Sequence, residues 1–466
     1  MNPKSKRPQG KTSTSRRKNI YRKSKYYQER RQKLLIAAGI GIFVLVFILL
    51  LAGIRGCSNY IHSRKTASKN AVSMNVSSDS SKSASSASDP SESDTASDST
   101  VDSPVSLTLS VVGDCTLGTD ETFDYDTSLN AYYENYGADY FMQNVKSIFS
   151  ADDLTIANFE GTLTDSTERE DKTFAFKAPA SYASILTNGS VEAVNTANNH
   201  SHDYGDQSFE DTLTALDNAG IVHFGYDETA VMDVKGIKVG LVGIYELYDH
   251  LEREQQLKDN IAKVKADGAQ LIVVIFHWGN ETETVPDSNQ TTLGRIAIDE
   301  GADLVCGHHP HVLQGIETYK GRNIVYSLGN FCFGGNSSPS DMDTMIYQQT
   351  FTIDADGVKK DNVTNIIPCS ISSAAYDGYN NYQPTPAEGD EATRILGKIT
   401  ERSSWISTAE GSTFTAKYNS NNDSQSSSAD TAASDSDIVD MNSSASNDTD
   451  AETYDESYDT DNSDAE

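Results

Sequence analysis

Paired cysteines are missing from this 466-residue chain: Cys57, Cys115, Cys306, Cys332 and Cys369 show no CxxC spacing and are too sparse for a disulfide framework. A disulfide-stapled fold and a zinc knuckle are therefore not indicated. Basic charge is scarce too, with 37 Lys and Arg against 68 Asp and Glu and a formal net charge of −31. The deficit is not confined to a tail. From Tyr418 onward there are 14 acidic residues and no basic one, but Val105 to Lys417 already holds 47 acids against 19 bases. Duplex DNA and RNA are thereby excluded as natural partners, and an anionic substrate needs a local metal or basic patch to overcome the general repulsion. Apolar residues are what the two ends lack. Residues 70–104 are dominated by Ser, Asp, Ala and Thr, and residues 418–466 repeat that bias with added Asn, so neither stretch offsets its chain entropy by burial.

Charge is absent from Leu34 to Ile54, 21 residues that make about 31 Å of helix and so one membrane span. Lys4 to Lys33 carries 13 Lys and Arg against the single acid Glu29, whereas Arg55 to Lys69 carries four basic residues. The basic side is expected in the cytoplasm and the large domain outside. A cleaved signal peptide fits less well, because its apolar core is usually shorter and its basic region is not 33 residues long. The expected organisation is a basic cytoplasmic segment (1–33), a transmembrane helix (34–54), a Ser/Asp-rich linker (55–104), one folded domain (105–417) and an acidic disordered tail (418–466).

Within that domain short β-branched runs alternate with helical patterns, which predicts an α/β fold with strands buried between layers. Leu107–Val112, Leu154–Ala157, Val191–Asn195, Val239–Ile244, Leu271–Phe276 and Leu304–Cys306 read as strands, with a further one over Asn323–Leu328. Asp206–Ala219 and Gln290–Glu300 read as helices, the first burying Leu213, Leu216 and Ala219 and the second Leu293, Ile296 and Ala297. A short helix is expected over Asp390–Trp405. Polar clusters follow the strands, where ligands collect in open α/β sheets: GDCTLG from Gly113, NFEGTLT from Asn158, NTANNHSHDYG from Asn195, HWG from His277, GHHPHVLQG from Gly307 and SLGNF from Ser327.

Singly, each motif is weak, since an Asp after a strand is as well read as an N-cap and a His as a satisfied polar residue. Together they place two carboxylates, an Asn amide and several imidazoles on adjacent strand ends, and six of the nine His lie in them. An oxygen and nitrogen set without thiolates suits manganese, iron or zinc rather than magnesium. Two such ions bridged by a carboxylate clamp the attacking and leaving oxygens of a phosphoryl transfer.

The ordered set GD, NFEG, ANNH with Asp three residues after the His, HWG, GHHPHV and SLGNF resembles the CapA family of poly-γ-glutamate capsule synthesis over about residues 107–405. PTPAEGDEA from Pro384 also looks like the end of that family's domain. The resemblance implies a four-layer α/β/β/α sandwich of the calcineurin-like metallophosphoesterase type behind one N-terminal span, and work on an extracellular anionic polymer beside polyglutamate synthesis or export proteins. It also implies Asp114 as the first-strand ligand, Glu160 as a bridging carboxylate where metallophosphoesterases carry Asp, Asn199 as the amide ligand, and His277, His309 and His311 as the imidazole ligands of one or two divalent ions. His308 stands where relatives commonly carry a small residue. His200 is implied as the protonating or phosphate-contacting group, with Asp203 orienting its ring.

One departure bears on catalysis. Metallophosphoesterases carry Asp-x-His after the first strand, but Asp114 is followed by Cys115 and Thr116, so one metal loses a His. Cys115, adjacent to a ligand in extended chain, is expected to point away. Gly113 and Gly118 read as turn residues, and Lys172 and Lys177, alternating with Phe174 and Phe176, as an edge strand with solvated lysines. Two functions fit: a metal-dependent phosphoesterase-like hydrolase or transferase of envelope substrates, or a non-enzymatic subunit guiding polymer through a membrane assembly.

Overall fold

Strands that are apolar on both faces need cover on both sides, and the chain provides it with two sheets and two groups of helices. A computed structural model describes residues 103–406 and 413–419. The expectations for the basic segment, the span at 34–54, nearly all of the linker and the tail from 420 lie outside the described residues. Among the described residues no helix is long and apolar enough to cross a membrane. The architecture is mixed α/β.

The first sheet is built around β1 (Val105–Thr116), flanked on one side by parallel β2 (Leu154–Glu160) and β3 (Ala193–Asn195). On its other side lies an antiparallel pair, Asp343–Asp354 and Val363–Ser370. In the second sheet β4 (Ile237–Tyr245), β5 (Leu271–His277), β6 (Leu304–His308) and β7 (Arg322–Val325) run parallel in that order. Strand periodicity distributes the side chains. Leu271, Val273 and Ile275 enter a core shared with Leu109, Val111 and Ile156 of the first sheet, while Ile272, Val274 and Phe276 face outward onto helix residues Leu257, Val264 and Leu293. The outer face of the first sheet, with Val112, Ala157 and Val194, packs on Phe141, Ile185 and Leu216.

Helix α1 (Asp206–Ala219) forms over the expected residues, but its buried face is Ser208, Thr212, Ala215 and Leu216, leaving Leu213 only partly covered. Helix α2 is Glu254–Ala266. Helix α3 starts earlier than expected, at Ser288, because Asp287 and Gln290 close a capping box there. Helix α4, Gly389–Ser404, forms within one residue of the range expected for it.

One irregularity aims the site. The register between β1 and β2 shifts between Val111 and Asp114, so that Cys115 joins Val112 in the outer core and Asp114 faces the second sheet. Bulges next to functional sites commonly re-aim a side chain in this way. Gly113 makes the geometry possible: a Cβ there would lie 2.1 Å from the Gly329 carbonyl oxygen, which accepts the Asp114 N–H at 3.0 Å.

Candidate metal centre

Each polar cluster leaves a strand at the same edge of the two sheets, and their side chains meet. Asp114 Oδ1 accepts from Asn158 Nδ2 at 2.9 Å and from His308 Nδ1 at 3.0 Å; its Oδ2 accepts from the His309 N–H at 3.3 Å and lies 3.2 Å from His311 Nδ1. Glu160 Oε2 accepts from Thr116 Oγ1 at 2.8 Å, and Oε1 lies 3.6 Å from His277 Nε2. His277 Nε2 donates to Asn199 Oδ1 at 2.8 Å while its Nδ1 lies 3.3 Å from Asn158 Nδ2. Asp114, Glu160, His277 and His309 are buried, and Asn199 and His311 partly so.

The potential ligand atoms fall into two sets. Asp114, Glu160 and His277 form one, Glu281, His309 and His311 the other, and within each the donor atoms lie within 4.8 Å of one another. The rings of His277 and His309, one from each set, are 4.8 Å apart. These residues fit a divalent ion of the borderline class, being oxygen and imidazole donors without a thiolate. Two buried imidazole atoms, His309 Nδ1 and His308 Nε2, have no hydrogen-bond partner, which is costly for a polar atom unless something else engages it. His309 and His311 also adopt positive φ, 93° and 57°, a conformation uncommon for non-glycine residues.

Residues 108–335 match the bacterial capsule synthesis protein PGA_cap family. The chain is 32% identical over 248 residues to PGA biosynthesis protein CapA of Bacillus subtilis (strain 168), covering 49% of this chain and 63% of that one. Over the matched residues the chain is similar to the CapA family. Its identity to capsule biosynthesis protein CapA of Bacillus anthracis is 29% over 253 residues, 49% of this chain and 60% of that one. A third relative, a "Probable polyglutamine synthesis accessory protein" of Mycobacterium tuberculosis, is 28% identical over 212 residues, 39% of this chain and 56% of that one. The chain thus spans less than two thirds of the length of these relatives.

Four residues that the sequence did not assign to this site stand in it. Asn158 links the two carboxylates to His277 and has its own Oδ1 held by Asn195 Nδ2 at 2.8 Å; its position, two residues before Glu160 on one strand face, was the available signal. Glu281 follows His277 by four residues, in a loop with no periodicity to aim it. His308 sits against Asp114. Lys172 corrects an expectation: it is no solvated edge-strand lysine, because its Nζ donates to Asp203 Oδ1 at 2.7 Å and to the Asn199 carbonyl at 2.8 Å. Only Lys177–Ala178 of that segment is strand. His202 lies half-exposed against Phe209, ring centroids 4.7 Å apart, and takes no part.

Beside the two ligand sets, His200 Nδ1 donates to Asp203 Oδ2 at 2.8 Å, the same oxygen that accepts the Phe176 N–H at 2.6 Å. That bond fixes the tautomer, leaving Nε2 as the atom free to exchange a proton. Burial, only partly offset by Asp203, holds the His200 imidazole below its ordinary range, so the ring is neutral near pH 7.

Charge is distributed unevenly among the buried acids and imidazoles. Burial and the neighbouring Asp114 charge push Glu160 up to about 8. Burial would raise Asp114 as well, but hydrogen bonds from His308 and His311 hold it well below the usual carboxylate range. Burial works against the proton on His311, yet the Asp114 bond and the Glu160 charge raise it to about 10, while burial and the His311 charge push His309 down to about 3. In the ion-free folded domain Glu160 therefore stays protonated from its ordinary 4.5 up to about 8, and His311 from 6.5 up to about 10. Both make the folded state the stronger proton binder above pH 6.5, so stability falls as pH rises through 6.5 to 8. His309 acts oppositely below 6.5. With chelator present, the melting temperature should peak near pH 6.5 and decline toward pH 9; divalent ion, which replaces those protons, should remove most of the alkaline decline. A melting temperature that rises from pH 7 to 9 without ion would contradict these charge assignments.

Proposed function

We propose that the chain is a membrane-anchored CapA-like protein of poly-γ-glutamate capsule biosynthesis, export or retention, with its N-terminus cytoplasmic and its domain extracellular. The domain is read as a four-layer α/β/β/α sandwich of the metallophosphoesterase type bearing a metal-dependent, phosphoesterase-like hydrolase site. Three apolar cores, one between the sheets and one on each outer face, support the layer order. The observation that carries the enzymatic reading is the meeting of the two ligand sets beside a His200–Asp203 pair.

In this reading Asp114, Glu160, Asn199 and His277 hold one ion, and Glu281, His309 and His311 hold a second or help to hold the first. Bound there, manganese, iron or zinc supplies Lewis-acid stabilisation of charge on a phosphoryl group. His200 handles the proton at Nε2, and Asp203, itself held by Lys172 and the Phe176 N–H, keeps the ring oriented.

Full-length chain purified with manganese, iron or zinc should hydrolyse a phosphomonoester or phosphodiester, and chelator should abolish the turnover. No turnover of any phosphoester by ion-loaded chain, together with capsule output that still depends on the chain, would instead favour a polymer-guiding subunit of a synthesis or export complex.

A further inference from the structure

A cavity of about 400 Å³ opens beside the site, with His200 and His311 in its wall. Its size suits a small organic group. Phe176 lies 4.5 Å from the His200 ring and Phe333 5.2 Å from the His311 ring, centroid to centroid, so an aromatic surface reaches each imidazole. Phe174 and Phe123 extend it outward: Phe174 lies 6.4 Å from Phe176 with nearly parallel planes, and Phe123 is edge-on to Phe174 at 5.8 Å. At Gly335 the two walls close together, since a Cβ there would meet the Phe333 ring at 2.6 Å and Phe176 Cζ at 3.2 Å.

Away from the histidines the charge on this surface has one sign. Asp124 and Glu281 line it with exposed carboxylates, Asp341 adds a half-buried one paired with Lys398 at 3.2 Å, and no Lys or Arg is among the described lining residues. Lys172, behind His200, is engaged by Asp203 and the Asn199 carbonyl. An anion entering here meets only carboxylates until it reaches the histidines. A cation meets ring faces and carboxylates, the combination that recognises alkylammonium groups.

We propose that the cavity seats an alkylammonium group of the substrate, so that the phosphoester hydrolysed at the histidines is that of an amino alcohol. The inference rests on the phosphoesterase reading for the reaction but not for the binding. Binding is therefore tested first, on the full-length chain without divalent ion, using choline, its uncharged isostere 3,3-dimethylbutanol and the anion 3,3-dimethylbutyrate in calorimetric or NMR titrations. Choline should bind about 10-fold more tightly than the uncharged isostere, the order a desolvated cation–π contact supports, and the anion should bind least. Phe174→Leu, at a ring half exposed to solvent, should weaken choline several-fold, and Asp124→Asn should reduce the preference for it over the alcohol. Equal affinity for choline and the alcohol, tighter binding of the anion, or choline affinity indifferent to both variants would overturn the proposal. Choline bound as expected by a chain that, loaded with ion, turns over no phosphoester would uphold the cation pocket while ending the hydrolase reading.

Discussion

Glu160→Ala is expected to lower divalent-ion affinity by more than 100-fold. Hydrogen bonds that only orient a metal ligand are worth about 10–100-fold in affinity, and Glu160 is placed to do more than orient. Its carboxylate lies in one set with Asp114 and His277, and Thr116 Oγ1 steers its second oxygen. His309→Ala should have a comparable effect through the other set. His308→Ala should cost less, within the orienting range, because its Nδ1 bonds to Asp114 rather than belonging to either set, and His202→Ala should cost nothing. Loss of binding through misfolding is separable. Glu160 resists ionisation until about pH 8, so removing it relieves a buried charge at alkaline pH, and ion-free Glu160→Ala should melt no lower than the parent at pH 9. Retained ion binding in both Glu160→Ala and His309→Ala, read by calorimetric titration, would sink the proposed ligand assignment.

His200→Ala should retain the ion and lose turnover by about 100-fold or more, the usual worth of a positioned general acid or base. Its ring bonds to Asp203 and touches the Phe176 ring, and it is absent from both ligand sets. His200→Gln preserves a hydrogen bond to Asp203 and controls for packing; it should be as inactive as the Ala variant. In a polymer-guiding subunit neither change should alter polymer output. Turnover unchanged in both variants would remove His200 from the chemistry.

The two-sheet core was legible because its strands are short, β-branched and apolar on both faces, and because the polar clusters at their ends mark where they stop. Helix α1 was legible over its full length, but its buried face was not. Ser208 and Thr212 are covered because their hydroxyls bond to the Gly205 and Ser208 carbonyls, so composition alone pointed to Leu213 instead. Helix α2 was passed over since its buried stripe is only Leu257, Asn260, Ile261 and Val264 within a polar sequence. The long strand at Asp343–Asp354 begins with a fully buried stretch and then alternates, a mixed pattern that neither simple period matches. At the site, residues at strand ends could be placed from sequence because a strand fixes their direction. Glu281 and Lys172 could not, because loops bring them back to the site from outside any strand or helix, and no period records such a return.

The central claim is that Asp114, Glu160, Asn199, His277, His309 and His311, joined by Glu281, bind a divalent ion. Anomalous diffraction from crystals of the purified protein, recorded at the manganese, iron and zinc edges, tests it most directly. The account predicts one or two peaks within ligand distance of these side chains, including one against Glu160, and their loss in Glu160→Ala crystals. A chain saturated with all three ions that shows no peak there, or a peak only at surface carboxylates elsewhere, would contradict it.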